Sequence, residues 1–147
     1  MQIELAYGWE RMDQEWVKRV LRSTYWSPGI RPEVVEKSFQ NSLSLGAYEG
    51  ARQVGMLRVL TDYATVGYFA DVYVDEACRG RGVAKQMLDF VLADPQFSTL
   101  RKWLLMTRDA QEVYARHGFE VIPPGKCMRL ALPNSNWQDP GFVAANA

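Results

Sequence analysis

The stretch VYVDEACRGRGVAK, Val72 to Lys85, passes from β-branched and aromatic residues through a short charged turn into two glycines and then a helix. Few local structures satisfy that order. Val83, Met87, Leu88 and Val91 recur at helical spacing, so the glycines stand at the mouth of an amphipathic helix that Asp94-Pro95 closes. Backbone amides at such a mouth have no partner within the helix, and the helix dipole adds partial positive charge there. Gly80 and Gly82, with Ala84, keep side chains out of the way, and Arg79, Arg81 and Lys85 surround the turn with cations. Amides from Gly80 to Lys85 can therefore form a concave donor site for a pyrophosphate.

Two familiar phosphate turns are excluded. Gly80-Arg81-Gly82-Val83-Ala84-Lys85 lacks the third glycine of a dinucleotide fingerprint, and it lacks the lysine-hydroxyl pair of a P-loop. An arginine-glycine tetrapeptide also occurs as a solvated turn or a weak RNA-binding element. A strand directly before it, a striped helix directly after it and the absence of further repeats argue against a nucleic-acid tail.

The rest of the chain reads as one α+β unit. MQIELAYGWE alternates like a strand; Asp13 can cap a helix carrying Trp16, Val17, Val20 and Leu21, which runs to about Trp26. After the turn Ser27-Pro28-Gly29, Pro32 opens a second helix with Val34, Val35 and Phe39 on one side. LSLGAYE, QVGMLRVLTDY and VGYFADVYVD form an antiparallel meander. Beyond the third helix come a strand, LRKWLLMTR, and a short helix capped by Asp109, with Glu112 completing the box. A final hairpin of FEVI and KCMRLAL follows. The sum is a mixed, mostly antiparallel sheet of six to seven strands flanked by about four helices, spanning residues 1–133 as a single domain, with 134–147 a polar tail that is either loose or pinned by Trp137 and Phe142.

Seventeen basic residues balance seventeen acidic ones among 147. No global field would hold a nucleic acid or an anionic membrane, so an anion site has to be local. Two cysteines and one histidine are too few for a disulfide framework or a zinc site. With neither a leader nor a long apolar run, a soluble, reducing, cytoplasmic setting is expected.

The sequence resembles the GNAT superfamily of acyl-CoA-dependent N-acetyltransferases. Its cofactor motif, [Q/R]-x-x-G-x-[G/A], is matched by Arg79-Gly80-Arg81-Gly82-Val83-Ala84, after the strand end Val72-Tyr73-Val74. A second motif, A-x-x-x-Y-x-x-x-G-F, is matched by Ala110, Tyr114, Gly118 and Phe119. The order of elements is also similar, excluding the tail. The resemblance implies a GNAT fold in which adjacent parallel strands splay and acetyl-CoA enters the gap. Its pantetheine arm would pair with backbone at Val72 and Val74, and its pyrophosphate would sit on the amides of Gly80 to Lys85. It also implies that Tyr114 reaches the CoA sulfur, although Tyr114 equally fits the apolar stripe of its helix. Thr107 stands where the family often has asparagine. Tyr68 occupies the site of a glutamate that serves some members as base, which leaves Asp71 as the nearest acid, either a general base or a residue that only binds substrate. The connection TYWSPGIRPE would supply the acceptor wall, with Tyr25, Trp26 and Arg31 framing a small-molecule amine and Arg31 pairing a carboxylate. Members often pair, and the final hairpin or tail offers a contact for a homodimer. The alternative to an acetyltransferase is a binding module that senses acyl-CoA without turnover.

Overall fold

A computed structural model describes residues 2–141. Five strands form one open sheet in sequence order: β1 (Glu4–Tyr7), β2 (Leu43–Glu49), β3 (Arg52–Thr61), β4 (Val66–Val74) and β5 (Lys102–Leu105). The first four are antiparallel neighbours, and β5 lies parallel to β4. Four helices accompany them: α1 (Gln14–Ser23), α2 (Pro32–Gln40), α3 (Val83–Leu92) and α4 (Gln111–Ala115).

The helix starts follow their sequence signals in three of four cases. Asp13 accepts the amide of Trp16 at 3.1 Å to begin α1, Pro32 is the first residue of α2, and Gly82 precedes α3 in the left-handed region at φ 80°. The fourth start differs from expectation. α4 begins after Ala110, and it is the Thr107 hydroxyl, not the Asp109 carboxylate, that receives an amide there, from Ala110 at 3.1 Å. Asp109 instead faces Arg108 across 3.6 Å.

The sheet separates two cores. Met56 and Leu57 are consecutive in β3, so their side chains leave opposite faces. Met56 joins Val17, Leu21, Val35 and Phe39 of α1 and α2. Leu57 joins Val83, Met87, Leu88 and Val91 of α3, together with Leu45, Val59 and Phe69. Trp103 of β5 stacks on Phe69, with ring centroids 4.7 Å apart, and it lies so close over Gly67 that any Cβ there would overlap the indole.

Two features of the last third were not expected. The strands anticipated at 119–122 and 126–132 do not form, so the sheet has five strands among the described residues instead of six or seven. Alternating apolar residues favour extended backbone, but pairing depends on docking to a neighbour, and an isolated two-stranded ribbon is marginal. The polar tail is pinned, though by backbone more than by rings. Trp137 O accepts the amide of Arg31 at 2.9 Å, Asp139 N donates to Gly29 O at 2.9 Å, and Ile30 pairs with Gln138 as an antiparallel bridge. Phe142 lies outside the described residues.

Candidate functional site

β4 and β5 part company inside the sheet. Their pairing runs from Val66–Lys102 to Phe69–Leu105 and stops, whereas β4 continues to Val74. Residues 70–74 therefore have β3 on one side and, among the described residues, no strand on the other. Within that stretch the β3–β4 register shifts between Met56 and Arg58, and Asp71 takes φ 53°. A non-glycine residue in the left-handed region is uncommon, and here it marks a β-bulge that re-aims a side chain.

The bulged Asp71 is firmly held. One carboxylate oxygen accepts from Arg58 Nε at 2.8 Å and the other from Trp26 Nε1 at 2.8 Å. Both members of the ion pair are largely covered, Arg58 17% and Asp71 11% exposed. Arg58 is itself steadied by Ser42 Oγ at 3.1 Å. Sequence reasoning missed Arg58. Its signal was a single charge within the apolar run Met56-Leu57-Arg58-Val59, which usually means a paired charge.

Trp26 leads on to the remaining site residues. Tyr25 packs edge-on against it at 5.1 Å, the Arg108 guanidinium lies 3.7 Å from the Tyr25 ring centroid, and the Arg108 amide approaches the Tyr25 hydroxyl at 3.4 Å. Both aromatic side chains remain substantially exposed. Arg108, the second residue not anticipated, carried no signal beyond its place after Thr107. Arg31 does not join this wall. Its guanidinium pairs with Glu33 and donates to Asn136 O at 3.0 Å, which ties it to the tail.

Tyr114 of α4 packs against Phe119 at 5.9 Å and borders the α3-side core. Burial pushes its phenol above the ordinary value of 10, and nearby Tyr25 adds to the rise. Its hydroxyl has no hydrogen-bond partner among the described residues. The ring thus packs against the core, and its hydroxyl is not spent on a protein partner among the described residues. Tyr68 of β4 is likewise raised, first by burial, with Arg58 opposing and Asp71 reinforcing the shift.

At the far end of the unpaired part of β4 stands the glycine turn. Gly80 and Gly82 have φ 78° and 80°, and a Cβ on either would meet open space, so conformation and not crowding selects glycine at both positions. No side chain caps α3. The first amides of the helix, at Val83, Ala84 and Lys85, donate no hydrogen bond among the described residues. Of the flanking cations, Arg79 donates from Nε to Val74 O at 3.0 Å and rests over the Tyr73 ring, and Lys85 pairs with Asp89 at 2.7 Å. The turn thus presents main-chain donors more than free charges. Asp89 also meets His117 at 3.1 Å. The side chain of that histidine, which follows α4, is 8% exposed and links this segment to α3.

An open sheet with a half-unpaired fourth strand leading into an uncapped helix defines an acetyltransferase-type α+β domain. The chain belongs to the GNAT acetyltransferase domain family, whose sequence profile matches residues 40–121. A crystal structure from Xanthomonas campestris, provisionally assigned as a GNAT-family acetyltransferase, is 34% identical with a TM-score of 0.86, covering 90% of this chain and 95% of that one. A Gibberella zeae protein with the provisional name of acetyltransferase is 33% identical over 112 residues, and the match spans 63% of this chain and 63% of that curated relative. A Clostridium acetobutylicum predicted acetyltransferase, crystallised with acetyl-CoA, shares the fold at 16% identity and a TM-score of 0.67, covering 88% of this chain and 96% of that one.

Proposed function

We propose that this chain is an N-acetyltransferase that moves the acetyl group of acetyl-CoA to the amine of a small acceptor by direct attack within a ternary complex. The observation that carries it is the junction at residues 70–85. Strand backbone without a neighbour on one side runs into a helix mouth whose amides are unspent, with glycines at positive φ between them. An extended pantetheine beside Val72, Tyr73 and Val74 fits the first feature. A diphosphate on the amides of Gly80, Arg81, Gly82, Val83, Ala84 and Lys85, with Arg79 alongside, fits the second. Thr107, on the other wall of the gap, keeps a hydroxyl proton to offer. Residues 1–133 would form the domain, and its two free thiols suit a reducing compartment such as the cytoplasm.

Transfer requires a neutral amine, a polarised carbonyl and a stabilised thiolate. Tyr114, kept protonated by burial, would donate to the departing sulfur. Asp71 is a poor candidate for the base, because both its oxygens are engaged and one of them neutralises a guanidinium. We assign it instead to orienting Trp26, which with Tyr25, Tyr68 and Arg108 would face the acceptor; Arg31 is spent on the tail. Without a free base the acceptor's own basicity becomes decisive. An alkylamine of pKa about 10.4 is neutral at pH 7 only at a penalty of about 4–5 kcal/mol, whereas an α-amine near 7.7–8.0 requires only about 1 kcal/mol. The site therefore favours α-amines or comparably weak bases over lysine-like amines and polyamines.

The test has two stages. Acetyl-CoA should raise the melting temperature of the wild-type chain, and Gly82→Trp should abolish the shift; an unshifted wild type defeats the proposal. A thiol-release screen of matched α-amines and alkylamines should then show turnover concentrated in the first group. The occupied Asp71 also supports a second function, acyl-CoA sensing without transfer. A cofactor-dependent melting shift with no thiol release from any amine would favour it.

A further inference from the structure

The arginines around the acceptor gap differ in how far their donors are spent. Arg58 is closed against Asp71 and Ser42, and Arg31 against Glu33 and Asn136 O. Arg108 enters hydrogen bonds through its backbone alone, its amide towards Tyr25 Oη at 3.4 Å and its carbonyl from Gln111 Nε2 at 3.3 Å. Among the described residues its guanidinium donates none. Its ionic neighbour, Asp109, stands off at 3.6 Å, and with both side chains about two-thirds exposed such a contact is weak. The group is nevertheless held in place. It lies 3.7 Å from the Tyr25 ring centroid, and Thr107 Oγ1, accepting from Ala110 N, fixes the turn that carries it. A cation over a ring is engaged through the ring face, so the rigid N–H fork stays available to a ligand. The position is also close to the chemistry, because Tyr25 stands near enough to Tyr114 to raise its pKa.

We propose that the acceptor is a free α-amino acid whose carboxylate is gripped by the Arg108 fork. Guanidinium and carboxylate match as two parallel hydrogen bonds. A monoanion fits better than a phosphate dianion, since Asp71 already neutralises Arg58 and Asp109 repels further negative charge. In an α-amino acid the carboxylate and the amine share a carbon, so holding the first delivers the second to the gap beside Tyr114. The exposed faces of Tyr25 and Trp26 would take the side chain. The same cation assists deprotonation. A carboxylate favours the charged form of the amine beside it, and a guanidinium on that carboxylate cancels the effect. That matters in a site where both oxygens of Asp71 are engaged.

The assignment rests on acetyl transfer at this site, and the amides of the amino acids separate the two. An amide keeps the side chain and the α-amine, makes that amine a weaker base and removes the carboxylate. Basicity alone ranks it above the free acid; Arg108 ranks it below. In a thiol-release panel of the common amino acids and their amides with acetyl-CoA, the preferred acid should show a KM about 10–100-fold below that of its amide. Arg108→Met should bring that ratio towards one, and Arg108→Lys, which keeps the charge without the fork, should fall between. Because the ratio is taken within each variant, a general loss of activity cancels. Amides that match or surpass their acids, turnover confined to amines without a carboxylate, or a ratio that survives Arg108→Met would overturn the grip and leave acetyl transfer standing. If no amine releases thiol, acetyl transfer itself fails, and calorimetric titration of the same acids and amides into the chain loaded with CoA decides the grip. Preferential binding of an acid, lost in Arg108→Met, upholds it; equal or absent binding overturns it.

Discussion

Tyr114 is the residue whose chemistry separates most cleanly from its packing, because removal of one oxygen leaves the ring against Phe119 in place. Tyr114→Phe should leave the acetyl-CoA melting shift intact and lower kcat by about 10²–10⁴-fold; full activity in the variant would remove the phenol from the mechanism. Burial raises its pKa, so the neutral, donating form persists through pH 10 and is lost only beyond it. Ionisation of Tyr114 should therefore cost less than half of the rate at pH 10. The two anchors of Asp71 make a different kind of prediction. Arg58→Met would strand a covered carboxylate, and we expect destabilisation of about 1–3 kcal/mol by denaturant melts. Asp71→Asn should be milder than Asp71→Val, since asparagine tolerates φ 53° and a β-branched residue does not. The glycine turn was legible because backbone conformation restricts the residue type there, as at Gly80 and Gly82. The Asp71 ion pair was not, because its partners come from β3 and from the α1–α2 connection, and only the fold brings them together.

Elements follow the same division. α1, α2 and α3 could be placed from capping and periodicity, since each carries its own start signal and its own apolar stripe. The meander could be placed because its turns are local. One of these, between β3 and β4, is held by Asp62, whose carboxylate accepts the amides of Ala64 at 2.9 Å and Thr65 at 2.7 Å and the Thr65 hydroxyl at 2.6 Å. Those bonds, with the Thr65 hydroxyl first among them, hold its pKa below the ordinary carboxylate value of 3.8. A depressed folded-state pKa contributes stability that is complete above the unfolded value and is lost as pH falls through the folded one. Wild type should consequently lose stability below about pH 4 more steeply than Asp62→Ala, which already lacks the contribution; parallel profiles would show that the turn is held by something else. The β-bulge and the failed final hairpin were not legible, because both are decided by what lies beside the strand and not by what is in it. Gly82→Ala tests the third helix start: a Cβ at φ 80° should destabilise by about 1–2 kcal/mol.

At the scale of the molecule, the order of elements as far as α4 and the position of the glycine turn could be read from the sequence, while the return of the C-terminal tail to the α1–α2 turn could not. Residues 136–139 lie more than a hundred positions from the residues they touch, and polar side chains with a single bridge leave no periodic trace. The return matters because the turn it braces also carries Tyr25 and Trp26. Arg31 N to Trp137 O, Asp139 N to Gly29 O and Gln138 Nε2 to Pro28 O, each at 2.9 Å, fix its backbone, and Arg22 pairs with Asp139. Each neutral bond contributes about 0.5–1.5 kcal/mol net, and the half-exposed ion pair contributes less. Truncation after Ser135 should therefore cost about 2 kcal/mol, or about 4–8 °C in Tm for a chain of this size. Its functional signature should be selective. The glycine turn at α3 makes none of these contacts, so the acetyl-CoA shift should survive, whereas the acceptor's KM should rise as Trp26 loosens from Asp71. A truncated chain that melts and turns over like the full one would mean that the tail merely rests on the turn. Equal losses of cofactor and acceptor binding would mean that the two halves of the site are coupled through the sheet.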